Sequence, residues 1–124
     1  MATNQEDIAG KQFSSPEPGT GAIYVYRTRA GNNSTLTVGQ RTLGMLNGGH
    51  WLRADLSAGE HDLRCTVPTL SDAVRSVMVQ LRPGETRYFL ATERLSTMSC
   101  HLDEQSPEIA RPAILQGHRV RELR

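Results

Sequence analysis

Residues 56–65, Leu-Ser-Ala-Gly-Glu-His-Asp-Leu-Arg-Cys, bring together several of the residue types that enzymes and metal sites use. Glu60 and Asp62 flank His61, and Cys65 follows four residues after the histidine. A carboxylate beside a histidine suits general acid–base catalysis, and histidine, cysteine and carboxylate side chains together are typical metal ligands. The stretch therefore has two competing interpretations, a reactive site or the corner between two β-strands.

A repeat of the same pattern favours the corner. Leu-x-x-Gly-Glu occurs at residues 56–60 and again at residues 81–85, each time between two alternating strand patterns. Gly59 and Gly84 stand where a tight corner between strands needs a positive φ angle. On the strand that follows the first corner, His61 points to the rim of the core. We expect it to cap the core edge through a backbone hydrogen bond rather than to act as a ligand or a base.

The other candidates for chemistry lack partners at a useful spacing. His50, His101 and His118 have no neighbour at the spacing of metal ligands. Cys100 and His101 are adjacent in a strand pattern, so their side chains face opposite ways and cannot form a nucleophile–base pair. The sequence contains no nucleophile elbow, P-loop or dinucleotide-binding glycine motif. We therefore predict no catalytic residue, no metal site and no cofactor.

Composition limits the classes of protein to which the chain can belong. Its 124 residues suffice for one domain, and no run approaches the roughly 18 apolar residues of a membrane span. Fourteen basic residues nearly balance thirteen acidic ones, and the net charge is +1. Nucleic-acid-binding proteins usually carry an excess of positive charge gathered on one face. The scattered arginines here predict no nucleic-acid partner.

The chain divides into a leader, residues 1–20, and a domain, residues 21–124. The leader is polar and contains two prolines, so it cannot bury enough apolar area to offset the entropy of ordering, and we expect it to be a flexible tether. Phe13 is the residue that could fix it to the domain. From residue 22 onward, short alternating patterns rich in β-branched and aromatic residues are separated by turn residues. These strand patterns are residues 22–27, 35–39, 41–47, 50–56, 61–67, 73–81, 86–93 and 96–102.

Apolar residues on one face of most strands are typical of antiparallel sheets that cover a core. The pattern predicts an all-β fold, an antiparallel β-sandwich of seven to eight short strands, with a small barrel as the alternative. A short helical segment is expected near the C-terminus, where Ser106 can be the N-cap and Pro107 the first helical residue. Pro112 should then interrupt the helix or make it restart.

Four sequence motifs follow one another along the predicted strands. The chain opens with an Ile-Tyr-Val-Tyr-Arg strand, residues 23–27, and has His50 and Trp51 after a small hairpin. A Leu-x-x-Gly-x-His corner, residues 56–61, and a Leu-x-x-Gly-x-x-x-Tyr-aromatic strand, residues 81–89, come next. This order resembles the bacterial domain-of-unknown-function family numbered 2846, and its middle part is similar to PEGA-type surface domains. The resemblance covers roughly residues 20–104.

The resemblance implies a location and a class of function. Members of the family are commonly lipoproteins or secreted envelope proteins of Gram-negative bacteria, and no activity is assigned to them. We therefore expect a periplasmic or outer-membrane-anchored domain whose signal peptide and lipobox are absent from this sequence, with a lipid anchor as its only link to the membrane. The expected function is non-catalytic binding or assembly with a protein partner of the cell envelope. The alternative is a periplasmic inhibitor or immunity protein that blocks a toxin or a hydrolase.

Trp51 and Arg53 form the candidate binding surface. They alternate with the inward-facing Leu52 and Ala54, so they should project from the outer face of their strand. An exposed tryptophan beside an arginine is the composition enriched at binding hot spots. The alternative is that Trp51 is folded beneath the leader or the C-terminal tail.

Cys65 and Cys100 are the candidate disulfide. Both fall on the apolar face of their strand patterns, and opposed residues of neighbouring antiparallel strands lie within disulfide reach. An envelope location would supply the oxidising environment, and the bond would stabilise the fold by about 3 to 4 kcal/mol. The alternative is two separate buried thiols that act as small apolar side chains.

Overall fold

A computed structural model of the chain describes residues 13–28, 34–66, 75–94 and 99–120. Within these ranges the chain forms nine β-strands and one α-helix. The elements are β1 (Thr20–Tyr26), β2 (Ser34–Val38), β3 (Arg41–Leu46), β4 (His50–Ser57), β5 (Gly59–Thr66), β6 (Arg75–Leu81), β7 (Thr86–Arg94), β8 (Ser99–Gln105), α1 (Pro107–Leu115) and β9 (His118–Arg119). Three parts of the predicted strands, Val67, residues 73–74 and residues 96–98, lie outside the described ranges.

The strands form two sheets that pack face to face. Sheet A has the order β8-β7-β1-β4-β9, and sheet B has the order β3-β2-β5-β6. The predicted all-β sandwich with a short C-terminal helix is confirmed. Two pairs, β1 with β7 and β4 with β9, are parallel, whereas the other pairs are antiparallel. The parallel pairs join segments that are distant in sequence, which an alternating pattern does not reveal.

The main core lies between the sheets and contains the inward side chains of both. Period-2 alternation places these residues on one face of each strand. The buried members of the core are Ile23, Val25, Leu36, Leu43, Leu46, Leu52, Ala54, Leu56, Leu63, Cys65, Val79, Leu81, Phe89, Ala91, Cys100 and Leu102.

Sheet A is buried on its outer side as well. Ala110 and Ile114 of α1 pack on that side against a second apolar cluster that contains Trp51 and Tyr24. The outer side of sheet B differs, since Met78 there is 57% exposed. Because α1 packs on sheet A, the two outer faces of the sandwich differ in their exposure to solvent.

Helix α1 begins as the sequence predicts and continues further than expected. Ser106 occupies the N-cap position, although its side chain makes no capping hydrogen bond, and Pro107 is the first helical residue. Pro112 lies inside the helix, so the expected interruption at this proline is wrong. Gly117 follows the helix where β9 approaches β4, and a Cβ atom there would lie 2.6 Å from the Gly49 carbonyl oxygen. Only glycine permits this close approach.

The described part of the leader contacts sheet A. The Phe13 ring lies 5.4 Å from the Tyr24 ring and 6.2 Å from the Tyr88 ring, measured between centroids. Ser14 accepts a hydrogen bond from Arg53. Residues 13 and 14 are therefore held on the domain, as the sequence suggested for Phe13, while residues 1–12 of the predicted tether lie outside the described ranges.

Candidate functional site

The acid–histidine–cysteine stretch forms a corner, not a cluster. His61 lies near the start of β5, and its Nε2 atom is 2.7 Å from the Ser57 carbonyl oxygen at the end of β4. Asp62 points to the outer face of sheet B and accepts a hydrogen bond from Arg64 Nε at 2.9 Å. Cys65 is buried in the core. The expected backbone bond of His61 is confirmed, and the stretch serves the fold.

The repeated Leu-x-x-Gly-Glu pattern marks two of the places where the chain passes between sheets through a short connection. The first joins β4 of sheet A to β5 of sheet B, and the second joins β6 of sheet B to β7 of sheet A. Gly59 has a φ of 132° and Gly84 a φ of 80°, both in the region that glycine favours. Both corners bond to the start of β1: the Ala58 N–H donates to the Gly19 carbonyl, and the Gly84 N–H donates to the Thr20 carbonyl.

Trp51 and Arg53 lie on the outer face of sheet A, as predicted, but neither is exposed. Trp51 is fully buried, and Arg53 is 8% exposed. The expectation of an exposed pair is wrong because α1 and the segment around Phe13 cover this face. The alternative, Trp51 folded beneath the tail, agrees with the structure. Neither side chain therefore forms an exposed binding surface.

Arg53 is the centre of a buried polar network. Its Nε donates to Asp55 Oδ1 at 2.7 Å, and its Nη1 donates to the Tyr24 hydroxyl at 3.0 Å. Burial lowers the pKa of Arg53, but the Asp55 carboxylate and Tyr24 outweigh it, so the pKa lies above its ordinary value. Burial raises the pKa of Tyr24, although the charge of Arg53 acts in the opposite direction. The guanidinium is thus held charged, and each of its three nitrogens donates at least one hydrogen bond.

Aromatic and arginine side chains extend this network across sheet A. The Tyr24 ring stacks on the Tyr88 ring at 5.2 Å and lies 5.8 Å from the Trp51 ring. Arg111 of α1 donates to the Tyr88 hydroxyl at 3.0 Å, and the Arg119 guanidinium lies 5.4 Å from the Trp51 ring centre. We call these five residues, with Phe13 and Arg53, the aromatic cluster. Its members come from the segment before β1 and from β1, β4, β7, α1 and β9. The available sequence signals were the outward alternation of Trp51 and Arg53 and the aromatic residue Phe13 in the leader.

Cys65 and Cys100 are joined by a disulfide bond, with their Cα atoms 5.5 Å apart. The pair is the predicted one, but the predicted reason for it is wrong. Cys65 is on β5 of sheet B and Cys100 is on β8 of sheet A, so the bond crosses the core instead of joining neighbouring strands. Each cysteine points inward from its own sheet, and the two meet in the middle of the sandwich.

His50 and His118 are the histidines that the fold brings together. They are opposite each other in the register of the parallel pair β4 and β9. The Asn47 N–H donates to His50 Nδ1 at 3.3 Å. Burial, and secondly the nearby His118, lowers the pKa of His50. Among the described residues, no three histidine, cysteine or acidic side chains form a group able to hold a metal ion.

The comparisons with known proteins do not assign the chain to a family. Neither the models of known protein families nor the curated proteins gave a match to the chain. The resemblance to the bacterial envelope family therefore stays a prediction. Within the described ranges, no helix has the length and apolar character required to span a membrane.

Proposed function

We propose that the chain is a non-catalytic binding or assembly domain that works in the bacterial cell envelope, in the periplasm or at the outer membrane. Its partner in this proposal is another protein of the same compartment.

The disulfide between Cys65 and Cys100 carries the proposal. Both cysteines are almost completely buried, and the bond links the two sheets through the main core. Structural disulfides persist in oxidising compartments, whereas cytosolic thiols are kept reduced. Closing a loop with a sequence separation of 35 residues stabilises a domain by about 3 to 4 kcal/mol, much of the margin of a small fold. A core built around this bond suits a protein that folds after export.

The polar residues that first suggested chemistry support a structural role. His61 contacts a backbone carbonyl, and Arg53 is bound to Asp55 and Tyr24. Catalytic groups are typically gathered in a cleft around a substrate, whereas these side chains hold strands and corners together. A domain in which such groups are used by the fold is suited to recognition rather than to a reaction.

Subcellular fractionation of the organism that carries the gene tests the proposal. An antibody against the domain should detect it in the periplasmic or the outer-membrane fraction, with a cytosolic enzyme as the control for leakage. Detection of the domain only in the cytosolic fraction would overturn the proposal.

A further inference from the structure

Among the described strands four lie at sheet edges, and three of these have features that discourage pairing with another chain. Strand β3 pairs with β2 through a register shift, β8 carries Asp103 and Glu104, and β9 is two residues long. Irregular pairing, charged residues and short length are the usual means of protecting an edge.

Strand β6 is the exception. It is seven residues long and pairs with β5 on one side, with no strand on its other side among the described residues. From Ser76 to Leu81 it contains no charged residue and no proline. Met78, in the middle, is 57% exposed. A long, uncharged edge strand of this kind is a site for the addition of another strand.

The backbone of β6 also presents hydrogen-bonding groups to this edge. Arg87 Nη1 donates to the Gln80 carbonyl oxygen at 3.0 Å, so the polar groups of Gln80 point away from β5. The N–H and C=O of one residue lie on the same side of an antiparallel strand, and successive residues alternate. The backbone N–H and C=O groups of Ser76 and Met78 therefore point away from β5, as those of Gln80 do. Arg87 binds the Gln80 carbonyl near one end of the edge, so this contact does not block the backbone groups in the middle of β6.

We propose that β6 is a self-association surface, on which a second copy of this chain adds its own β6 in antiparallel orientation. A two-fold axis at Met78 places Met78 opposite its counterpart and Ser76 opposite Gln80. The two B sheets then form one continuous sheet. This inference does not depend on the envelope location.

The charge pattern favours a second copy as the occupant. In a symmetric antiparallel pair with its two-fold axis at Met78, a charge at that position would lie directly opposite the same charge of the second copy. The stretch Ser76–Leu81 has none. The exposed Met78 gains an apolar partner in the pair, since the two methionines are opposed.

Analytical ultracentrifugation at increasing protein concentration tests the proposal. The wild-type chain should shift from monomer to dimer between about 0.01 and 1 mM, the range of weak protein association. Met78→Lys should weaken the dimer by about tenfold, because it opposes two like charges on an edge strand. The matched control is Met45→Lys, which alters the other exposed methionine of sheet B, 48% exposed on β3 at the opposite edge, and should leave the dimer intact. A wild-type chain that stays monomeric, or a dimer that only Met45→Lys disrupts, would overturn the proposal.

Disulfide trapping tests the register without relying on dimer strength. Opposed residues of an antiparallel pair lie about 4.5 to 5.5 Å apart at Cα, within reach of a disulfide. Met78→Cys should form a covalent dimer under mild oxidation at least about tenfold faster than Met45→Cys, because only residue 78 meets its own copy in the pair. Equal rates for the two variants would rule out this pairing. Thermal unfolding of each variant checks that the domain is folded.

Discussion

The Arg53 guanidinium donates to the Tyr24 hydroxyl at 3.0 Å between the neighbouring strands β4 and β1. This bond is buried on the side of sheet A that faces away from the main core, where α1 and the segment around Phe13 pack. The residues whose composition resembles a recognition site are thus part of a second, smaller core. Three features stabilise the described part of the domain. They are the main core with its disulfide, the aromatic cluster, and the corners at Gly59 and Gly84.

Replacement of Trp51 by alanine should destabilise the domain strongly. The side chain is fully buried beside Tyr24, so its removal should cost about 3 to 5 kcal/mol in the free energy of unfolding, measured with urea. The matched control is Met45→Ala, which removes a side chain that is 48% exposed and should change stability by less than about 0.5 kcal/mol. A loss below about 1 kcal/mol for Trp51→Ala would show that the tail does not bury this residue.

Alkaline pH should weaken the domain through its buried tyrosines. Burial raises the pKa of Tyr24 and of Tyr26 above the ordinary value of 10.0. The unfolded chain therefore loses these protons first, so their contribution is complete below pH 10 and disappears as the pH rises through the folded-state values. Urea unfolding above pH 10 should show this decline, and Tyr24→Phe should make it smaller. An identical decline in Tyr24→Phe would exclude Tyr24 as a cause.

Mild acid should weaken the domain through His50, whose pKa is lowered first by burial and then by His118. Because the unfolded chain takes up this proton first, the stabilising effect is complete above the ordinary value of 6.5 and declines as the pH falls through the folded-state value. His50→Gln can still accept the Asn47 N–H but does not titrate. Between about pH 7.5 and 5.5, the wild type should therefore lose more stability than this variant. Parallel losses would contradict the assignment to His50.

The two corners should respond to substitution according to their φ angles. A Cβ atom at Gly59 or Gly84 would meet no atom within 4 Å, so any cost comes from the backbone. Gly59→Ala and Gly84→Ala should each cost about 1 to 2 kcal/mol in urea unfolding. Gly84→Asn should cost less than Gly84→Ala, because asparagine tolerates the left-handed conformation at a φ of 80°. Equal stabilities of the wild type and both alanine variants would show that the corners do not need glycine.

Much of the fold followed from period-2 alternation. All eight strand patterns correspond to strands. Most keep their apolar residues on one face, whereas β1 and β4 are buried on both faces. Strand β9 was not predicted, because its two residues, His118 and Arg119, are too few to show a period-2 pattern. The parallel pairing of β1 with β7 was missed because alternation fixes the face of a strand but not its neighbour.

Because alternation shows only the face on which a side chain lies, the predictions for the candidate sites were partly right and partly wrong. Alternation put Trp51 on the outer face correctly, but it does not show what covers that face. Ala110 and Ile114, four residues apart on one side of a helix, were the available signal for a covering element. For Cys65 and Cys100, the inward direction was sufficient to suggest the bond, although the sequence could not show that their strands belong to opposite sheets.

The oxidation state of Cys65 and Cys100 in living cells tests the central claim most directly. Cells of the organism that carries the gene are quenched with acid, and the proteins are denatured and treated with a maleimide that adds mass to each free thiol. The account of an exported domain with a disulfide across its core predicts no labelling of the chain until a reductant is added, and labelling of both cysteines afterwards. Labelling of both cysteines without reductant would contradict it.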